Sequence, residues 1–209
     1  MQRIILPLLC GAAFLAAPAL AAEKSYDFGK IRAIDAGGAM ALDISFGPRQ
    51  SVVVEEPEGR FDELELSLDD GVLDIDQRSR GRKDSGEFTI RLTLDALEAL
   101  DLSGAVKTSV KGYKGEQLAI DASGAVQLIL AGECTRLSLD LSGAVKLDGK
   151  DFKCQDVSID ISGAGAAQVY ASQSLRIDSS GAAKVTAYGK PSRIEKDMSG
   201  VAQVIIAQE

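Results

Sequence analysis

Six aspartates stand at the same place in six copies of one short phrase: Asp101-Leu102-Ser103-Gly104-Ala105, Asp121-Ala122-Ser123-Gly124-Ala125, Asp140-Leu141-Ser142-Gly143-Ala144, Asp160-Ile161-Ser162-Gly163-Ala164, Asp178-Ser179-Ser180-Gly181-Ala182 and Asp197-Met198-Ser199-Gly200-Val201. Carboxylates in such a column have three uses. Convergent pairs do acid–base work on glycosidic bonds, and rows of hard oxygen ligands hold calcium. In the third use each Asp, two residues before its serine, accepts a hydrogen bond from the backbone of a corner, as in an Asx-turn. The third is the expectation. One ligand per repeat makes a poor calcium cage, and the adjacent repeats add no acidic residue at a matched position.

Other chemistry is thin. The sequence contains no histidine, which excludes a Ser-His-Asp triad, a histidine general base and a His-ligated zinc. The Ser-Gly pairs are not nucleophile elbows, because the same serine recurs in every unit with nothing to activate it. A polysaccharide-processing β-helix enzyme is the rival function, and a calcium-binding solenoid is a further one. Such enzymes build a cleft from long inserted loops, whereas these repeats are nearly constant in length. No catalytic, cofactor-binding or metal-ligating residue is therefore assigned, and no cofactor is expected.

Two further alignments emerge. Three residues after each glycine stand Lys107, Gln127, Lys146, Lys184 and Gln203, with Ala166 breaking the column. Such a row suits acidic glycans, or it is a solvated face in which glutamine dilutes like-charge repulsion. Cys134 and Cys154 both lie eight residues before their serine, so stacked repeats would bring their α-carbons to about the ~4.8 Å strand spacing, within disulfide reach. A disulfide or a pair of buried thiols satisfies that alignment.

The elements that position these columns follow from the rhythm. The serines at 103, 123, 142, 162, 180 and 199 recur every 18–20 residues. Before each serine the apolar residues alternate: Leu137, Leu139 and Leu141, then Val157, Ile159 and Ile161, which is the period of a half-buried strand. Ser-Gly is read as interrupting the strand at a corner, after which Val145 and Leu147 resume the alternation around Lys146. A unit of this kind cannot bury its apolar side alone, so like units must stack. The fold expected is all-β, a parallel β-helix (solenoid) with ~19–20-residue coils. A leucine-rich repeat would need Asn or Cys after the strand and a helical return, and the nonapeptide calcium repeat is absent.

The N-terminal part is less regular. Ile34-Asp35-Ala36-Gly37-Gly38-Ala39 reproduces the unit with Gly37 in place of serine. Strand-like runs follow at Met40–Phe46, Ser51–Glu55, Leu64–Asp69, Val72–Gln77 and Phe88–Leu94. Asp70-Gly71 signals a hairpin, and Ser79–Glu87 reads as an exposed loop. This region could cap the stack.

At the start, Arg3 and an apolar run from Ile4 to Ala17 precede Ala19-Leu20-Ala21, which fits a secretory signal peptide cleaved after Ala21. Cys10 as a lipoprotein cysteine is disfavoured by the large Leu9 before it, and Pro7, Gly11 and Pro18 break any membrane-spanning run. The organisation expected is a signal peptide over 1–21 and one solenoid domain over 22–209, irregular over 22–95 and regular over 96–209. No transmembrane segment is expected in the mature chain. The formal net charge of −8 disfavours nucleic acid and anionic lipid as partners. The product is expected to be exported, periplasmic or at the cell surface, with an envelope protein or glycan of unknown identity as partner and an unknown oligomeric state.

The β-rich N-terminal part, the hairpin around Leu66–Ile75 and the serial strand-Ser-Gly-small units together resemble a bacterial domain family of unknown function, the "putative auto-transporter adhesin, head GIN domain". The resemblance spans about Phe28 to Ala207. It implies a right-handed parallel β-helix, surface attachment and no catalytic residues. No amphipathic strand set follows the coils, so the resemblance does not extend to a translocator barrel. Taken together, the sequence reads as a non-enzymatic, adhesin-like binding or structural module of the cell envelope.

Overall fold

The computed structural model describes residues 22–78 and 88–207. The expected leader, its cleavage point after Ala21, Cys10 and the loop Ser79–Glu87 lie outside them. Among the described residues nine strands run in order: β1 (Ala22–Tyr26), β2 (Ala33–Phe46), β3 (Ser51–Glu56), β4 (Leu64–Asp69), β5 (Val72–Gln77), β6 (Phe88–Leu94), β7 (Ala99–Tyr188), β8 (Arg193–Gly200) and β9 (Gln203–Ile206). A 3-10 turn at Phe61–Glu63 precedes β4, and no α-helix occurs among the described residues.

The sheet is strongly curled and mixed: the expected hairpin at Asp70-Gly71 is present as β4–β5, and the further antiparallel pairs correct the expectation of a parallel β-helix. β2 pairs in parallel with β5, β6 and β7, and β7 pairs in parallel with β8 and β9. The pairs β1–β3, β3–β6 and β4–β5 are antiparallel. The cause is local for one pair: Asp70 and Gly71 both have positive φ (45° and 82°), the two-residue turn that folds a strand back on itself.

A second correction concerns the Ser-Gly corner. It does not interrupt the strand. The β2–β7 ladder passes straight through it, with Gly37 opposite Ser103, Gly38 opposite Gly104 and Ala39 opposite Ala105. A straight strand of β7's length would reach ~300 Å, so β7 must wind. Each corner lands on the one before: a Cβ built on Gly104, Gly124, Gly143, Gly163, Gly181 or Gly200 meets the backbone of Gly38, Gly104, Gly124, Gly143, Gly163 or Gly181 in turn.

The alternation fills one aliphatic core. Leu137, Leu139, Leu141, Val157, Ile159, Ile161, Val145 and Leu147 are all buried, and a fully buried Leu or Ile contributes about 2 kcal/mol. Tyr113 and Phe152 add aromatic bulk to this core, with ring centroids 5.4 Å apart.

Among the described residues no strand pairs with the outer side of β8, whose residues are all exposed. Lys196 pairs with Ile177, a buried core position, and so puts an ammonium where other coils carry Ile or Leu. Around it Ile194, Met198 and Val201 are 41, 40 and 85 % exposed. A charge at an inward position of an edge strand opposes the addition of another strand. Lys196→Ile is accordingly expected to increase self-association, read by sedimentation velocity across a concentration series. Unchanged sedimentation coefficients would contradict this role.

Candidate functional site

Register turns the sequence columns into rows across the sheet. Asp101 pairs with Asp35, Asp35 with Asp74, and Asp178 with Asp197. The corner stacking aligns Asp121, Asp140 and Asp160 between them. The result is a ladder of eight aspartates, five of them in β7 and one each in β5, β2 and β8, at about the ~4.8 Å strand spacing. Asp35 and Asp74 escape the sequence column. The first was visible in the unit ending at Gly37; the second lies in the hairpin, where no Ser-Gly marks the register.

The Asx-turn expectation does not hold. Among the described residues no corner N–H donates to a ladder carboxylate. Because pairing continues through the corner, its backbone groups are engaged with the neighbouring strands and none is left for the side chain. The carboxylates therefore feel one another. Partial burial, then Asp35, Asp76 and Glu65, raises Asp74 above the usual aspartate range. Asp101 is raised by burial and by Asp35 and Asp121, and Asp160 by burial and by Asp140 and Asp178. No group of three or more His, Cys, Asp or Glu among the described residues is arranged to hold a metal ion.

The sign of this linkage is definite. A carboxyl raised in the folded state binds more protons there than in the unfolded chain. Its stabilising contribution is full below the ordinary aspartate value and is lost as pH rises through the raised one. Asp160→Asn is expected to raise the melting temperature at pH 7, with a gain that shrinks towards pH 4 and in high salt, where repulsion is screened. A lower melting temperature at pH 7 would show that the ladder is held by attractive partners instead.

On the other side of the corner, Lys107, Gln127, Lys146, Ala166, Lys184 and Gln203 are exposed and share a column, with Ala41 opposite Lys107 and Gln203 opposite Lys184. A shallow groove of ≈ 370 Å³ lies along Ala125, Ala144, Ala164 and Ala182 beside Gln127 and Lys146. A cavity of ≈ 440 Å³ is lined in part by Tyr113. That hydroxyl is 2.7 Å from the Gln117 carbonyl and 3.1 Å from that of Leu97, and burial followed by Glu98 raises it above its ordinary range. It is a core hydroxyl with its donor engaged.

Cys134 and Cys154 form a disulfide with α-carbons 4.6 Å apart, and the Ser172 hydroxyl donates to the Cys154 carbonyl from the next coil, 3.3 Å away. With its ends 20 positions apart in sequence, the bond should contribute about 3 kcal/mol by loop entropy. Alkylation without reductant followed by intact mass is expected to find neither cysteine modified. Two labelled cysteines would contradict the pairing.

The fold and these faces define an all-β protein whose strands carry repeating polar columns. The chain belongs to the family described as "Putative auto-transporter adhesin, head GIN domain", whose model matches residues 30–191. A crystal structure of a "putative adhesin" from Bacteroides fragilis is similar with a TM-score of 0.73 and 14% identity, covering 88% of this chain and 95% of that one. A "putative adhesin" from Parabacteroides distasonis gives 0.54 and 15%, covering 90% and 97%. A "putative lipid binding protein" from the same species gives 0.51 and 14%, covering 91% and 98%. At these identities the likeness concerns the fold alone. No functionally curated protein matches the chain.

Proposed function

We propose that this chain is an exported, non-enzymatic β-solenoid that serves the bacterial cell envelope as an adhesive or binding module, holding a protein or glycan against its flat faces. One observation carries the reading: polar columns repeat coil after coil in register, from Asp74 to Asp197 and from Lys107 to Gln203. A surface of that kind matches a repeating or extended partner, while a catalytic site needs different groups converging on one point. Membership of the adhesin-head family supports the same reading.

In this organisation 1–21 is a leader removed after Ala21, 22–95 caps the stack and 96–209 is the regular coil array, periplasmic or displayed at the surface. Cleavage there keeps Ala22, which pairs with Glu56, in the mature chain. The test is cell fractionation with N-terminal sequencing, followed by incubation of pure protein with isolated envelopes and with a polysaccharide panel. Mature protein beginning at Ala22, envelope binding and no new reducing ends are expected. An uncleaved cytoplasmic product, or turnover that disappears with one ladder Asp→Asn change, would overturn the proposal.

A further inference from the structure

We propose that the lysine column and the alanine-floored groove beside it bind a linear anionic glycan carrying one charge per disaccharide, laid along the stack. This rests on the reading of the chain as a binding module and names the partner's chemistry. Lysines occupy alternate coils: Gln127 stands between Lys107 and Lys146, and Ala166 between Lys146 and Lys184. Each step is one strand spacing, so successive ammonium groups repeat at ~10 Å along a line. An extended polymer charged on every second sugar presents carboxylates along one edge at a comparable period. A polymer charged on every residue would set half of its charges against Gln127 and Ala166.

The surroundings fix where that chain lies. Towards the corner the neighbouring column is Ala105, Ala125, Ala144, Ala164 and Ala182, all exposed, and it gives sugar rings a flat methyl floor. Gln127 and Gln203 add amide donors and acceptors for hydroxyls. On the opposite side of the lysines stand Asp43 and Asp148, which also border a smaller groove with Ile129. Their charge confines an anionic chain to the alanine side. The aspartate ladder beyond the corner likewise repels a broad anionic surface such as a bilayer, while a thin chain along the groove avoids it.

Calorimetric titration at low ionic strength tests this with hyaluronan oligosaccharides, neutral chitin oligosaccharides, phosphatidylglycerol vesicles and isolated envelopes of the source cells. Hyaluronan is expected to bind, chitin oligosaccharides not. K146Q/K184Q should weaken hyaluronan about fivefold or more, K114Q should not, and melting temperatures should confirm that both variants fold. Equal hyaluronan affinity for the wild type and K146Q/K184Q, or equal binding of chitin oligosaccharides, overturns the proposal. So does vesicle binding without hyaluronan binding, which would make the partner a membrane. Envelopes that bind the wild type and K146Q/K184Q alike overturn the lysine column and leave the binding module standing. Failure of every probe and of the envelopes overturns both.

Discussion

Gly143→Ala is expected to destabilise the protein by about 3 kcal/mol or more, and Gly112→Ala by only about 1 kcal/mol. Gly143 has φ +93°, and a Cβ there would lie 2.6 Å from the Gly124 carbonyl oxygen. The alanine must therefore adopt a left-handed backbone and also push apart two stacked corners. Neither coil can shift alone, because Gly163 sits on Gly143 in the same way. Gly112 has φ +76° but nothing within 4 Å of its Cβ position, so it reports the backbone term without the stacking term. For a chain of this size the larger loss lowers the melting temperature by about 10 °C. Equal losses at the two sites, read by thermal or urea melts, would mean that the corners are not in contact.

The second large effect is expected at Glu56, whose side chain is fully buried. Its carboxylate accepts hydrogen bonds from the N–H groups of Glu58 and Arg60, both at 2.8 Å, and from the Arg60 guanidinium at 3.0 Å. Burial alone would raise this carboxyl, but the bonds from Arg60 and Glu58 outweigh it and hold it below its ordinary value. The cluster closes the turn between β3 and β4. Glu56→Ala removes the acceptor of two backbone donors and one of the carboxylates around the largely buried Arg60 guanidinium, which keeps Glu58 and Glu63, a loss of about 3 kcal/mol. Glu56→Gln, which keeps an acceptor but no charge, should lose less. The pH signature is opposite to that of the aspartate ladder. The contribution is present above the ordinary glutamate value and is lost as pH falls through the depressed one. Melts of wild type and Glu56→Gln that differ equally at pH 7 and pH 3 would contradict this assignment.

What was legible in the sequence is what period and spacing encode. Leu137, Leu139 and Leu141 announce a half-buried strand because side chains alternate, and the repeat of Ser-Gly fixes the offset between coils. Pairing direction at the N-terminal end is another matter. The alternation in Ser51–Glu56 and Phe88–Leu94 is the same whether they run parallel or antiparallel, and only long-range register decides. Asp74 was hidden for that reason, since only its pairing with Asp35 places it in the ladder. The Ser-Gly pair misled in a different way. Glycine with positive φ is a usual sign of a strand's end, yet here an identical corner lies beneath it and continues the ladder. That continuity removes the free N–H groups on which an Asx-turn depends.

The central claim is that successive coils lie in register, one strand spacing apart, so that single residues become rows. Nitroxides at Lys107→Cys and Gln203→Cys, with the native disulfide intact, stand five coil steps apart in one column. Double electron–electron resonance should give a single narrow distribution centred at about 24 Å. A broad distribution, or a mean beyond about 40 Å, would contradict the stack and with it both polar faces.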